Sequence, residues 1–156
     1  MRRSSSGISP VVATVILVAI AIVIAIAVAF WASGLVSVFT RFEKIEIVSA
    51  YAIPRDGAYD VTVVAKNTGS SSATIDQIMI NGVPAYHIRD TDCQASETNP
   101  PGIDQLGNCN IDVSSLTPGV NATITMTITP VNPGITIEVA VHTASGKLYP
   151  SSVLLP

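Results

Sequence analysis

The two cysteines are the residues whose types and spacing carry the clearest chemistry in this chain. Cys93 and Cys109 lie at the two ends of a polar stretch. A disulfide between them would stabilise the fold by about 3 kcal/mol, because closing the loop lowers the entropy of the unfolded chain. A redox or metal site is the alternative, but the sequence has no Cys-x-x-Cys motif, and His87 and His142 have no ligand spacing. We predict a structural disulfide, which indicates an oxidising compartment.

Asn121 is a candidate glycosylation site. It begins the sequon Asn-Ala-Thr at residues 121–123, and such a sequon can accept an N-linked glycan in an exported protein. The residue falls on the polar side of an alternating strand pattern, where a glycan has room. A chance match to this three-residue pattern is the alternative interpretation.

The remaining residues show no pattern that is typical of catalysis. The sequence has no nucleophile elbow, phosphate-binding loop or zinc signature. Residues 90–92, Asp-Thr-Asp, resemble the start of a calcium loop, but the later ligands and glycine are absent, which favours a solvated acidic turn. We therefore expect a protein that is not an enzyme and that uses no cofactor and no metal. An anchored hydrolase is the less favoured alternative.

The composition divides the chain into an apolar part and a polar part. Of the 156 residues, 48% are hydrophobic and only 12% are charged, which is too apolar for an ordinary soluble domain. The formal charge of −3 leaves no basic surface for nucleic acid, so we exclude nucleic-acid binding. No charged residue occurs between Arg3 and Arg41, so the apolar excess lies near the N-terminus.

The apolar segment is long enough to cross a membrane as a helix. Between Val11 and Ala32 the only polar residue is Thr14, and about 20 apolar residues suffice for a crossing. Ser9 followed by Pro10 is a typical helix start. A lone segment in lipid must satisfy its backbone internally, which predicts a helix despite the many Val and Ile residues.

Small residues recur along this predicted helix. Ala21, Ala25 and Ala29 are spaced four residues apart, which places them along one helical face and favours close approach of a neighbouring helix. Accidental spacing in an Ala-rich segment is the alternative. A helix that is apolar on all sides needs lipid or other helices around it.

The polar remainder, residues 41–156, predicts a small antiparallel β-sandwich of immunoglobulin-like size. Residues 120–129 alternate strictly between apolar and polar, and residues 135–142 alternate similarly. The turn residues 130–134 between them predict a hairpin. The polar stretch between Arg89 and Ser115 predicts an excursion from the sheets. Weaker strand patterns cover residues 43–51, 59–66, 74–80, 85–89 and 147–155, with turns at 67–69 and 81–82. The predicted fold class is α+β, with a long N-terminal apolar helix before a C-terminal β-sandwich.

The N-terminal residues resemble those of archaeal type IV pilins of the adhesion type. The run Gly-Ile-Ser-Pro-Val-Val-Ala-Thr at residues 7–14, with the apolar residues after it, carries the resemblance. In that family a prepilin peptidase removes a short basic leader, called a class III signal peptide, and the apolar segment stays on the mature protein. The resemblance implies cleavage between Gly7 and Ile8. An ordinary secretory signal, cut near residues 27–29, is disfavoured because the apolar core is too long.

The resemblance also implies a domain organisation and a function. Residues 1–7 would be the leader, residues 8–40 the apolar helix and residues 41–156 an extracellular β domain. The chain would be the major structural subunit of a pilus, a helical homopolymer formed with the help of the peptidase and the assembly machinery. Before assembly it would sit in the membrane with its N-terminus in the cytoplasm and the β domain outside. Bacterial type IV pilins usually have Glu at the fifth mature residue, where this chain has Val12, so packing alone would hold the helix in the fibre.

Two alternative functions fit the same features. One is a monomeric, membrane-anchored surface binding domain, whose helix stays in lipid. The other is a minor pilin or an archaellin, although the start of the apolar segment resembles adhesion-type pilins more than archaellins.

Overall fold

The computed structural model describes residues 10–34 and 41–156, which belong to two compact units. The first unit contains one helix, and the second, Phe42–Pro156, contains the β-strands. The predicted leader, the predicted cleavage site between Gly7 and Ile8, and the last residues of the predicted apolar segment (35–40) lie outside the described residues.

The helix α1 spans Pro10–Ala32. Its 23 residues extend over about 34 Å at about 1.5 Å per residue. Pro10 suits the first helical position because its missing N–H needs no partner there. The helix ends where Gly34 adopts a left-handed backbone with φ of 71°, a common helix C-cap.

The β domain consists of ten strands in two antiparallel sheets. The strands are β1 (Ile45–Arg55), β2 (Ala58–Asn67), β3 (Ala73–Ile80), β4 (Val83–Arg89), β5 (Asp92–Ala95), β6 (Ile103–Ile111), β7 (Ser115–Leu116), β8 (Asn121–Pro130), β9 (Thr136–Thr143) and β10 (Leu148–Leu154). Sheet one has the order β1-β2-β8-β6, and sheet two has the order β10-β9-β3-β4-β5, with the short β7 beside β3. A helix followed by a two-sheet antiparallel sandwich confirms the predicted fold class.

The core lies between the two sheets because alternate residues of each strand point inward. In β8 the residues Ala122, Ile124, Met126 and Ile128 are all fully buried, and the threonines between them face outward. Tyr86 of β4 is also fully buried, and its hydroxyl donates to the Thr127 carbonyl at 3.1 Å. Burial raises the pKa of Tyr86 to about 12, so its hydroxyl stays protonated and no charge enters the core at neutral pH.

The strands run between two ends of the domain, which we call the base and the tip. At the base β1, β8 and β10 begin, and β2 and β9 end. At the tip the order reverses, and β1 turns into β2 through the two residues 56–57. The β1 strand of 11 residues separates the two ends by about 36 Å at about 3.3 Å per residue.

The predicted hairpin between residues 120–129 and 135–142 is wrong. The first of these segments is β8 in sheet one, and the second is β9 in sheet two. Residues 130–134 therefore cross between the sheets at the tip, where Val131 N donates to the Gly102 carbonyl and Gly134 N to the Leu155 carbonyl. Alternation shows that each strand has one buried face, but it carries no information about which strand lies beside it.

The predicted excursion between Arg89 and Ser115 is also wrong, because this stretch contributes β5 and β6. The β6 strand is irregular, with register shifts between Ile103 and Gln105 and between Leu106 and Cys109. These β-bulges interrupt the period of two, so the segment has no clear strand pattern in the sequence.

Candidate assembly surface

The helix α1 presents an uncovered apolar surface on every side. None of its residues is buried, and Trp31 near its end is 75% exposed. It is the one helix of the described residues that is long and apolar enough to cross a membrane by length and composition. Burying one Val, Leu or Ile side chain away from water is favourable by about 1.5–3 kcal/mol. Exposure of the whole helix to water is therefore unfavourable.

The hydroxyl group on α1 and the one on the residue directly after it both bond to the helix backbone. Thr14 Oγ1 donates to the Val11 carbonyl at 2.9 Å, and Ser33 Oγ donates to the Phe30 carbonyl at 3.0 Å. A hydroxyl that bonds to its own backbone needs no water and can enter an apolar surrounding at little cost. The helix is therefore suited to lipid or to a core of packed helices along its whole length.

The three alanines predicted to support helix packing lie within α1. Ala21, Ala25 and Ala29 are separated by one helical turn each, so they form a stripe along one face. All three are exposed, as is the rest of the helix. The structure thus leaves this stripe available to a neighbouring helix.

Residues 42–44, where the chain enters the β domain, are anchored to the turn that follows β2. The Phe42 carbonyl accepts hydrogen bonds from Ser70 N at 2.9 Å and Ser71 N at 3.1 Å. The Lys44 carbonyl accepts from Thr68 N at 2.9 Å and Gly69 N at 3.1 Å. This four-bond anchor fixes the entry point of the chain at the base.

Two residues of the turn make the anchor possible. Asn67 is fully buried, and its Nδ2 donates to the carbonyls of Ser71 and Leu116 at 2.8 Å each. Gly69 passes so close to the entering chain that an added Cβ would lie 2.5 Å from Phe42 O and 2.6 Å from Lys44 N. The sequence predicts only a turn at residues 67–69, since no local pattern reports a contact with residues 42–44.

The open sides of the sandwich are closed in two different ways. On one side a disulfide joins Cys93 of β5 to Cys109 of β6, with their Cα atoms 5.5 Å apart, and so links the edge strands of the two sheets. On the other side Lys147, directly before β10, contacts the start of the domain, where its Nζ donates to the Glu43 carbonyl at 3.0 Å. Burial, and then the charge of Glu43, raise the pKa of the nearby Tyr149.

The remaining candidates from the sequence lie apart from one another. Asn121 is exposed at the start of β8, opposite Lys66 of β2. Residues 90–91 form the tight turn between β4 and β5, with Asp90 at φ of 54°. Across residues 10–34 and 41–156, no group of three or more His, Cys, Asp or Glu side chains could hold a metal ion.

The tip contains a pocket that the sequence patterns do not indicate. This tip pocket has a volume of about 320 Å³ and is formed by the β1–β2 turn and the 130–134 connection. Its walls are Pro54, Arg55, Asp56, Gly57, Ala58, Tyr59, Pro130 and Pro133. The residues come from segments that are distant in the chain, so only the folded topology brings them together.

The charged groups beside the tip pocket are partly paired. Arg55 Nη1 lies 2.9 Å from Asp60 Oδ2, and Thr127 Oγ1 donates to Asp60 Oδ1 at 2.8 Å. These hydrogen bonds, first from Thr127 and then from Arg55, lower the pKa of Asp60. Asp56 is exposed at the turn itself and lines the tip pocket.

Over residues 10–34 and 41–156, the chain forms one apolar helix followed by a disulfide-linked antiparallel β-sandwich. No family model and no curated protein sequence matches the chain. Among solved structures, it is similar to the archaellum periplasmic stator protein FlaG from Sulfolobus acidocaldarius, at 15% identity and a TM-score of 0.46, over 71% of this chain and 99% of that chain.

Two further solved structures show weaker similarity. The stator complex of FlaF and FlaG from the same organism has 14% identity and a TM-score of 0.44, over 71% of this chain and 89% of that chain. The secreted serine protease VesC from Vibrio cholerae has 10% identity and a TM-score of 0.37, over 65% of this chain and 20% of that chain. Similarities at this level concern the fold alone.

Proposed function

We propose that this chain is a structural subunit of an archaeal type IV pilus, and that it polymerises through its N-terminal helix into an extracellular adhesive filament. The observation that carries the proposal is a 23-residue apolar helix in which no residue is buried and the one hydroxyl, that of Thr14, is bonded to the helix backbone. The pilin-like residues 7–14 support it at the sequence level.

The helix needs two successive surroundings in this proposal. Its length of about 34 Å suits a bilayer whose apolar core is about 30 Å thick, so the helix can span the membrane before assembly. After the peptidase cuts between Gly7 and Ile8, the assembly machinery moves the helix into a bundle of identical helices. The apolar contacts with lipid are then replaced by contacts with other copies, and the stripe of Ala21, Ala25 and Ala29 allows close approach.

The β domain has the role of the outer part of the filament. Its disulfide favours an oxidising exterior, and the anchor at residues 42–44 ties the sandwich to the chain that leads to the helix. The proposed role needs no catalytic residue.

A monomeric, membrane-anchored surface binding domain is the second candidate, because the length of α1 also fits a single permanent membrane crossing. The two candidates differ in what they require of the helix surface. Lipid accommodates a larger apolar side chain at any position, whereas a close-packed helical core does not.

Electron microscopy of cells carrying Ala25→Leu, beside wild type, tests the proposal. We expect wild-type filaments that bind an antibody against the β domain, and fewer filaments or filaments of changed diameter in Ala25→Leu. Val11→Leu is the matched control, since Val11 lies at the start of the helix and outside the alanine stripe. Absence of labelled filaments in wild-type cells would refute the pilus function and favour the anchored monomer.

A further inference from the structure

The tip pocket has walls suited to an apolar ring. Pro54, Pro130 and Pro133 provide rigid ring surfaces, and Tyr59 forms part of the wall. The Tyr59 hydroxyl already donates to the Pro156 carbonyl, and Arg55 is already paired with Asp60. Asp56 and Arg55, whose side chain is 70% exposed, are the charged residues of the wall, and the other residues present ring, methyl and backbone surface. This mainly apolar wall favours an aromatic side chain.

The base of the same domain presents such a side chain. Phe42 is 54% exposed, although its backbone is held on both sides by the anchor to Ser70 and Ser71. A bulky aromatic ring that is carried on a fixed backbone and left in water costs free energy unless a partner covers it. Within one copy Phe42 and the tip pocket lie at opposite ends of β1, so a single domain cannot bring them together.

The charges around the two features are complementary. Lys44 and Lys147 are exposed near Phe42, whereas Glu43 has its Oε1 buried. At the tip, Asp56 is exposed on the wall of the tip pocket, and the charge of Arg55 on the same wall is balanced by Asp60. A base with exposed ammonium groups and a tip with an exposed carboxylate attract each other between copies.

We propose that Phe42 at the base of one copy inserts into the tip pocket of another copy, so that β domains dock head to tail. A second copy is the occupant because the chain itself offers both the exposed aromatic ring and the matching charges. A contact between two different surfaces of the same protein does not close on itself, and it generates an open helical array. The inference rests on the proposed filament function and adds a specific contact between subunits outside the helical core.

The head-to-tail contact is weak between free domains and effective in a filament. One inserted ring and two to three exposed charges form a far smaller interface than stable dimers need. Helices that already hold the copies together raise the effective concentration of base and tip. The domain alone therefore remains a monomer, whereas the contact forms between neighbours in the polymer.

Cross-linking of assembled filaments tests the contact. Lys44→Cys and Val131→Cys place one thiol beside Phe42 and one beside the tip pocket, and both positions are exposed. The native cysteines are joined in a disulfide and do not react. Treatment with a short bismaleimide should give a ladder of covalent multimers on a denaturing gel. Each single variant should give at most dimers.

Control variants separate the contact from accidental proximity. Lys44→Cys with Thr125→Cys places the second thiol on the exposed outer face of β8, away from the tip, and should give no ladder. In the Lys44→Cys, Val131→Cys background, Phe42→Ala should lower the yield of multimers by about tenfold or more. Tyr51→Ala, at a 47% exposed aromatic residue in the middle of β1, should leave the yield unchanged.

The outcomes distinguish this inference from the proposed function. Filaments that form but give no ladder, or a ladder that persists in Phe42→Ala, would overturn head-to-tail docking and leave the pilus function intact. Absence of wild-type filaments would overturn the pilus function itself. If the first pair prevents assembly, Leu148→Cys with Asn132→Cys tests the same contact through exposed residues that the contact does not use.

Discussion

Gly69→Ala should strongly destabilise the β domain through the anchor at its base. The added methyl would lie 2.5 Å from Phe42 O and 2.6 Å from Lys44 N. Both are backbone atoms that cannot rotate away, so residues 42–44 or the turn must move. The four backbone hydrogen bonds from residues 68–71 to the Phe42 and Lys44 carbonyls are then weakened together.

The size of the effect follows from these bonds. Each is worth about 0.5–1.5 kcal/mol, so loss of most of them predicts a destabilisation of about 2–4 kcal/mol. Urea unfolding of residues 41–156, followed by circular dichroism, measures this as a lower midpoint with an unchanged slope. Ser72→Ala, at an exposed residue beside the same turn, is the matched control and should change the free energy of unfolding by less than about 0.5 kcal/mol. A Gly69→Ala domain as stable as wild type would refute the anchor.

Three further predictions concern the disulfide, the helix and the pH dependence. Replacing Cys93 and Cys109 together by alanine should lower the free energy of unfolding by about 3 kcal/mol. Hydrogen exchange should rise first in β5 and β6, the edge strands that the disulfide joins. Unchanged exchange in these strands would contradict the role of the disulfide. Ala25→Glu should abolish filaments, because neither lipid nor a helical core solvates the charge. Residues 41–156 should still fold and sediment as a monomer. Normal filaments in Ala25→Glu cells would contradict a role for the helix in assembly. Because hydrogen bonds hold the pKa of Asp60 below its ordinary value of 3.8, its stabilising contribution is present above that value and is lost as the pH falls through the lowered pKa. Asp60→Asn should therefore flatten the acid side of the stability curve, and an unchanged acid side would refute this assignment.

The helix was predictable because its signal is local and strong. An uncharged run with a single threonine, started by Pro10, has few alternatives to a helix in an apolar surrounding. Strand positions were also largely predictable where alternation is strict, as in β8. The disulfide had a single possible pairing, since the chain has only 2 cysteines.

The features that the sequence could not supply depend on contacts between distant segments. The connection at residues 130–134 looks like a hairpin turn, yet it carries the chain from sheet one to sheet two. Bulges conceal β6, because they break the period on which strand prediction depends. The role of Gly69 and the walls of the tip pocket follow from close approaches across the fold, for which no spacing rule exists.

Mass spectrometry of filaments sheared from the cell surface tests the central claim most directly. Polymerisation through a retained helix predicts that the filaments contain this chain with Ile8 as the first residue and with α1 intact. A chain that still begins at Met1, one that begins near Phe30, or filaments that lack this chain altogether would contradict the account.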